Sequence, residues 1–568
     1  MSLTGREARE RHYDVDVVVI GGGVNGTGVA RDAALRGLRV ALFEKNDLAF
    51  GASGNSSGLI HGGPRYLRDD PKVTYTSCLD SGHIQKIAPH LLFRIPFLMP
   101  IGPEGTERTR IELVDAFFEA YDFYQPLKRG KPHTRLTPDE LCGLEPGLFG
   151  GRASAEGLAG GITFDEWGID GARLCVANAV DAAEHGAAIH THALVEEILR
   201  DPANGDVCGV RARPTRGGAS QKVTARAVVN ATGAWAAITV RGGGIAPARA
   251  RVRPGKGIHV VFDRRLSNYA IVAKAIDGRQ IFIQPWQNVS VLGTTDDDYY
   301  GDLDDVRAES SEVRYLLQGI AKVFPAVLEA RAIGTTAGVR PTLYAYGPYE
   351  DELTRDHRIA DHAADGARGL FSMLGGKLAS YRLFAEQMTD VLVRHLRVGA
   401  APCTTHTAPL PGGEKAVAVH ALAPRLGVGA VAASRVFYRH GARAERIAER
   451  VARNPREGAV VCVCEPVIEA EVRYAIDQEM AQSVDDVARR TRLGLGACGG
   501  MRCAARCGQI VADARGLAPR DGARQALRFL ARQSAGRAVA VGPVGARQEA
   551  LALASLRAEL GPVLDEEA

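Results

Sequence analysis

Val15-Asp16-Val17-Val18-Val19-Ile20-Gly21-Gly22-Gly23-Val24-Asn25-Gly26 follows a polar, charged N-terminal stretch, and its reading decides the fold. The Val/Ile-rich run Val15–Ile20 predicts a strand buried on both faces of a parallel sheet. The glycines satisfy G-x-G-x-x-G. Gly21 permits the tight turn, Gly23 lets backbone approach a pyrophosphate, and Gly26 allows the following helix to pack on the strand. The helical pattern runs from about Gly26 to Arg36, with Gly37 at the C-terminal cap. Leu38–Glu44 reads as a second strand. The N-terminus of the helix presents N–H groups and a partial positive charge to phosphates. Glu44 stands where a carboxylate binds a ribose 2′-OH. A glycine-rich loop without a ligand is the bland alternative; the strand before it, the helix after it and Glu44 beyond it weigh against that reading.

A second segment chooses between dinucleotides. Val228-Val229-Asn230-Ala231-Thr232-Gly233-Ala234-Trp235 is a strand ending in Ala-Thr-Gly. Flavoproteins carry such a segment near the ADP part of the flavin, so the reading moves to FAD, with Gly21, Gly23, Gly26, Glu44, Thr232 and Gly233 as cofactor-binding residues.

A chain of 568 residues is too long for one core and predicts two to four domains. Its apolar fraction of 46% and charged fraction of 24% are those of a soluble globular protein. The formal charge of +4 gives no reason to expect a nucleic-acid partner, although a basic patch suits a phosphorylated substrate or an anionic membrane surface. Residues 1–14 read as a polar tail without the apolar core of a signal peptide. No run reaches the eighteen apolar residues of a spanning helix. The expectation is a cytoplasmic protein, at most peripheral on the inner face of the cell membrane.

The oxidoreductase region is expected over 15–400, with flavin and substrate parts interleaved. Ala401–Glu414 has linker composition, and a helical segment follows to 454. Five of the ten cysteines fall between Cys462 and Cys507, which in this setting points to ligation rather than disulfides. Cys462-Val463-Cys464 and, 33 residues on, Cys498-x4-Cys503 supply four thiolates from two loops, over an expected domain 455–515. Four thiolates hold either a [2Fe–2S] cluster or zinc. Zinc sites favour C-x2-C pairs, whereas this chain has C-x-C. Cys507 reads as a spare thiol, and 516–568 as a helical tail. The acidic run Asp296, Asp297, Asp298, Asp302, Asp304 and Asp305 lacks the spacing of a calcium loop and reads as a solvated segment.

Beyond the first turn, the chain resembles the FAD-dependent glycerol-3-phosphate dehydrogenases. The resemblance is carried by Asp47-Leu48-Ala49, Gly58–Leu67, Lys256-Gly257-Ile258-His259, Pro285-Trp286 and Gly293-Thr294-Thr295-Asp296. It continues through Gly338-Val339-Arg340-Pro341, Thr354-Arg355-Asp356 and Gly375–Arg382. The cysteine module resembles the bacterioferritin-associated-ferredoxin-like domain of the flavin-bearing chain of the anaerobic, three-subunit form. Ser56-Ser57-Gly58 has Gly where aerobic members tend to carry a basic residue, which leaves the branch open.

The resemblance implies an α/β fold: a Rossmann-type FAD domain interleaved with a mostly antiparallel substrate domain, then a small helical [2Fe–2S] domain and a helical tail. It implies oxidation of sn-glycerol 3-phosphate to dihydroxyacetone phosphate, with electrons relayed towards a quinone through additional flavin and membrane iron–sulfur subunits. Ser56, Ser57, His61, Gly62, Gly376 and Lys377 join the cofactor-binding set. Arg65, Tyr66, Arg340, Arg355 and Lys377 are the substrate-binding candidates, because guanidinium groups bind two phosphate oxygens at once. His259 is the candidate general base, since imidazole titrates near neutral pH, and Arg340 can polarise the hydroxyl. The alternatives are an FAD-dependent amine or 2-hydroxy-acid oxidoreductase on the same scaffold, and a non-catalytic electron-transfer protein. A carboxylate substrate needs fewer cations than Arg340, Arg355 and Lys377 supply, and in an electron-transfer protein these three have no role.

Overall fold

The structure is a computed structural model that describes residues 13–152, 156–350 and 352–560. Of the polar tail expected at 1–14, residues 1–12 lie outside it, as does the end of the helical tail beyond 560.

The opening stretch folds as its sequence dictates: strand β1 (Val15–Ile20), helix α1 (Val24–Leu35) and strand β2 (Val40–Phe43). β1 pairs in parallel with β2 on one side and with the strand Gln221–Asn230 on the other. Val17, Val18 and Val19 are fully buried because helices cover one face and the hairpin strands Ala193–Arg200 and Val207–Pro214 lie towards the other. Each such side chain contributes roughly 1.5–3 kcal/mol over its exposed form. The eight-stranded flavin sheet draws its strands from 15–43, 188–230 and 357–375.

The intervening segments build a nine-stranded sheet from 92–169 and 252–343. Its pairings are antiparallel except that Ala270–Lys274 runs parallel to Leu92–Ile101. The interleaved α/β fold with a mostly antiparallel substrate layer is therefore the one observed.

The stretch 401–414 is packed rather than loose. Leu410 is fully buried among Ile87, Leu91 and Leu174. Gly412 has φ +96°, and a methyl there would lie 2.4 Å from the His440 carbonyl oxygen. Three helices follow, Val419–Leu426, Ala430–His440 and Ala444–Arg453. They share one core with Ile468, Ala470 and Tyr474 of the cysteine region, so the expected division at 454/455 cuts through a common core. The helix Pro519–Ala538 likewise packs Phe529 and Leu530 into the cysteine core beside Cys503 and Cys507.

This C-terminal region docks on the flavin layer through buried ion pairs. Arg490 holds Asp47 with two contacts of 2.5 and 2.8 Å, and Arg173 holds Glu479 at 2.6 and 2.9 Å. His192 Nε2 meets Asp486 at 2.9 Å. Asp47, His192 and Asp486 bring their ligand atoms within 4.8 Å of one another, but Arg489 and Arg490 already neutralise the two carboxylates.

Candidate functional site

At the N-terminal turn, Gly21 has φ +109°, and a methyl there would lie 2.6 Å from the Ala231 carbonyl oxygen. A methyl at Gly26 would lie 2.0 Å from the Gly21 oxygen, so the crossing of helix and strand admits glycine alone. Gly23 is the N-cap of α1 and gives it no side-chain cap. The first N–H groups of this buried helix are thus free to take a pyrophosphate, apart from Val24 N–H, which donates to Ser53 Oγ at 3.0 Å. Glu44 accepts from Gly22 N–H at 2.7 Å and Asn46 N–H at 2.8 Å, fixed just beyond β2. Burial pushes this carboxyl up. The donor set and the glycine cradle fit FAD.

The other cofactor-binding candidates divide by what they touch. Gly375 and Gly376 have φ +73° and +92°, forming a left-handed turn before Lys377. Thr232 donates its hydroxyl to Asn230 Oδ1 at 2.6 Å, so it braces the Ala-Thr-Gly turn in which Gly233 has φ +59°. Ser56 Oγ accepts from Gly58 N–H at 3.2 Å, and Ser57 Oγ meets His259 Nε2 at 2.8 Å. A methyl at Gly62 would lie 2.3 Å from Cys78 Sγ, and Gly62 N–H points to Glu166 at 3.3 Å. Gly62 is glycine for close packing. Behind it, Lys128, Glu166 and Tyr121 form a buried network of 2.5 to 3.0 Å contacts that no sequence pattern announced.

The expected substrate residues, though separated in sequence, converge. Arg65 donates to the Tyr66 hydroxyl at 2.7 Å and lies over the ring at 4.7 Å. Lys377 Nζ lies 4.6 Å from the same ring centroid. Arg340 Nη1 and Arg355 Nη2 reach opposite oxygens of Asp296, at 2.6 and 2.7 Å. Four cations and the Asp296 carboxylate meet around Tyr66, leaving a surplus of positive charge. Burial alone would push the Tyr66 phenol up, but Arg65, Lys377 and Arg355 outweigh it and bring it down to about 8. Burial pushes the Lys377 ammonium down. Burial, Lys377 and Arg65 hold His61 well below the usual histidine range.

Asp296 corrects the expectation of a solvated acidic run. Its side chain is only 14% exposed and fixes the two arginines in register. Asp297 and Asp298 pair with Arg279 and Arg253. Asp302, Asp304 and Asp305 lie towards solvent, as expected.

His259 is buried on the strand Val252–Phe262 between Ser57 and Thr336, with Nδ1 3.3 Å from Thr336 Oγ1. Burial, and then the Arg340 charge, pushes it down to about 3, so the ring is neutral. The strand Ala332–Leu343, which carries Thr336 and Arg340, lies against the flavin-side loop. A methyl at Gly338 would be 2.9 Å from Asn55 Cβ.

The four cysteines lie together, Cys462 beside Cys503 and Cys464 beside Cys498, and Cys503 Sγ donates to the Gly500 carbonyl at 3.8 Å. Cys503 beside it outweighs burial and draws the Cys462 thiol down. Cys507, one helical turn beyond Cys503, is fully buried, and burial pushes its thiol up.

Residues 16–382 match the FAD dependent oxidoreductase family, and residues 403–521 match the C-terminal domain of alpha-glycerophosphate oxidase. A chain of the anaerobic glycerol-3-phosphate dehydrogenase of Escherichia coli (strain K12) is 33% identical over 499 residues, covering 87% of this chain and 88% of that protein. The chain belongs to the FAD-dependent glycerol-3-phosphate dehydrogenase family. Within that family, glycerol-3-phosphate dehydrogenase 1 of Mycobacterium bovis (strain ATCC BAA-935 / AF2122/97) is 37% identical over 505 residues, covering 85% and 92% of the two chains. The crystal structure of the glycerol-3-phosphate dehydrogenase from Bacillus halodurans complexed with FAD superposes with a TM-score of 0.69. It covers 92% of this chain and 95% of that one at 24% identity, a likeness of fold.

Proposed function

We propose that this protein oxidises sn-glycerol 3-phosphate to dihydroxyacetone phosphate and delivers the electrons through a [2Fe–2S] cluster towards a quinone. The observation that carries the substrate is the surplus of positive charge around Tyr66. A carboxylate or an amine needs fewer cations, which disfavours the amine and hydroxy-acid readings. The relatives named above are glycerol-3-phosphate dehydrogenases, which favours the same substrate.

Arg340, Arg355, Lys377 and Arg65 bind the phosphate and hold C2 in place from a distance, so that orientation comes from a group that does not react. Asp296 holds the two guanidinium groups side by side, one on each carboxylate oxygen. His259, neutral, takes the hydroxyl proton while Arg340 orients the oxygen. A bound phosphate dianion offsets the Arg340 charge, the lesser of the two causes that depress His259. Bound FAD supplies the hydride acceptor. Gly21, Gly23 and Gly26 would hold its pyrophosphate and Glu44 its ribose, with Ser56, Ser57, His61, Thr232 and Gly376 around it.

Cys462, Cys464, Cys498 and Cys503 would hold the cluster, which supplies one-electron transfer. Four thiolates gathered in one place are the ligand set such a cluster requires. Among the described residues, no helix is long and apolar enough to cross a membrane. We therefore assign the route to quinone to two partner proteins, a second flavin protein and a membrane iron–sulfur protein. On this reading the chain is cytoplasmic, peripheral on the inner face of the membrane.

The test is anaerobic. Adding sn-glycerol 3-phosphate to the purified holoenzyme bleaches the flavin band, and glycerol or lactate does not. A flavin that stays oxidised with the phosphate ester overturns the substrate assignment. For the ligand set, iron per chain in two variants decides. Cys503→Ser loses the cluster, whereas Cys507→Ser retains it; the reverse result exchanges their roles.

Tyr66 gives a pH dependence. Its phenol is neutral below about pH 8 and becomes phenolate above, placing a negative charge among the phosphate-binding cations. Since kcat/KM reports the free enzyme, it falls as pH rises through about 8. Tyr66→Phe abolishes that limb while keeping the ring beneath Lys377. An unchanged alkaline limb in Tyr66→Phe assigns it to another group.

A further inference from the structure

The loop that carries Cys498 is roofed by a helix from the C-terminal tail. Gly494, Gly499 and Gly500 all have positive φ, +81°, +58° and +88°. Conformation is one reason they are glycine, and space is the other. Methyl groups at Gly494 and Gly500 would each lie 2.6 Å from the Phe529 ring, and one at Gly499 would lie 1.2 Å from Arg537 Nη1. Phe529 and Arg537 both belong to the helix Pro519–Ala538. The Arg537 guanidinium thus meets the residue next to Cys498 end-on, with Nη1 leading.

Arg537 is buried, 2% exposed. Nη2 pairs with Glu549 of the last helix, Gly542–Leu560. Nη1 has no hydrogen-bond partner among the described residues and is the atom turned towards Gly499. A buried guanidinium with one nitrogen left unpaired is costly unless something nearby benefits from its charge. The four thiolates do. A cluster that gains an electron becomes more negative, and a fixed positive charge in a low-dielectric wall favours that form.

We propose that Arg537 raises the reduction potential of the cluster held by Cys462, Cys464, Cys498 and Cys503, with Glu549 as the counter-charge that limits the effect. The inference rests on the [2Fe–2S] reading above. It gives the C-terminal helices a purpose: they deliver a charge to the cluster wall. The same helix touches the substrate layer, where Thr335 Oγ1 donates to the Gly536 carbonyl at 2.7 Å, so the wall is tied to the strand carrying Arg340.

The test is a potentiometric titration of the full-length holoenzyme under anaerobic conditions, followed by the EPR signal of the reduced cluster. Arg537→Gln lowers the reduced-to-oxidised ratio at a fixed potential about tenfold, equivalent to a midpoint about 59 mV more negative for one electron. Glu549→Gln moves the midpoint the other way, and Arg537→Lys stays close to the parent. Opposite signs are the signature, because a purely structural loosening gives both Gln variants the same direction. Midpoints that do not move, or that move together, overturn the proposal. Should Arg537→Gln fail to retain iron, Glu549→Gln alone decides, an upward shift supporting the role and no shift overturning it. A parent protein that carries zinc in place of iron instead defeats the cluster reading itself, and metal analysis distinguishes that failure.

Discussion

Arg355→Ala lowers kcat/KM for sn-glycerol 3-phosphate by about 10- to 150-fold, most of it in KM. A hydrogen bond to a charged group is worth about 1.5–3 kcal/mol, which converts to that range. The side chain is only 9% exposed, so water does not replace it. Its loss acts twice. One cation leaves the phosphate, and Asp296, freed from one of two arginines, draws Arg340 more strongly to itself. Steady-state kinetics with a dye acceptor, comparing the phosphate ester with glycerol, separates this from general damage. The variant loses its preference for the ester, whereas turnover of glycerol, however slow in the parent, stays the same. A preference that survives places the phosphate elsewhere.

The second large effect is one of stability. Asp47→Ala removes the partner of Arg490, whose side chain is fully buried. Breaking a buried ion pair from one side costs about 3–5 kcal/mol, because the remaining charge has no water to return to. Arg490 keeps contacts to the carbonyls of Glu479 and Asp486, which softens the loss. The expected outcome is that the C-terminal region comes away first, seen as a second, earlier transition in denaturant unfolding. Hydrogen exchange should quicken in the helix Val484–Thr491 before the flavin sheet opens. The double variant Asp47→Ala with Arg490→Met recovers most of the stability, since no orphan charge remains. A single transition at the parental midpoint refutes the role of this pair.

What was legible in the sequence was local. Val15–Glu44 could be read because strand, turn, helix and strand are each specified by neighbours in the chain, and the glycines by contacts within that unit. The interleaved architecture, the FAD assignment and the family followed from ordered motifs. The convergence of Arg65, Arg340, Arg355 and Lys377 was not readable from spacing, because strand crossovers bring it about, and it was reached only through resemblance. Asp296 was masked by its acidic neighbours, since a charge run looks alike whether one member turns inward or none does. Residues 401–414 have linker composition, yet Gly412 is there because the His440 carbonyl leaves no room for a side chain. The same composition serves flexibility and tight contact. The role of the tail helix at the cysteine loop left its trace in Gly494, Gly499 and Gly500, but a glycine reports a neighbour without naming it.

The two large sheets take their strands by turns from the same stretch of chain, whereas the described residues after 403 give no strand to either and dock on them, in part through buried ion pairs. Exchange by recombination follows those lines. The flavin and substrate layers cannot be inherited separately, because the strands of the flavin sheet lie before, between and after those of the other, and no single cut yields two whole sheets. The C-terminal third can be gained, lost or replaced as one cassette, provided that the newcomer brings an arginine for Asp47 and a carboxylate for Arg173. On the relay proposed above, such a protein changes the destination of its electrons without altering the reaction that releases them.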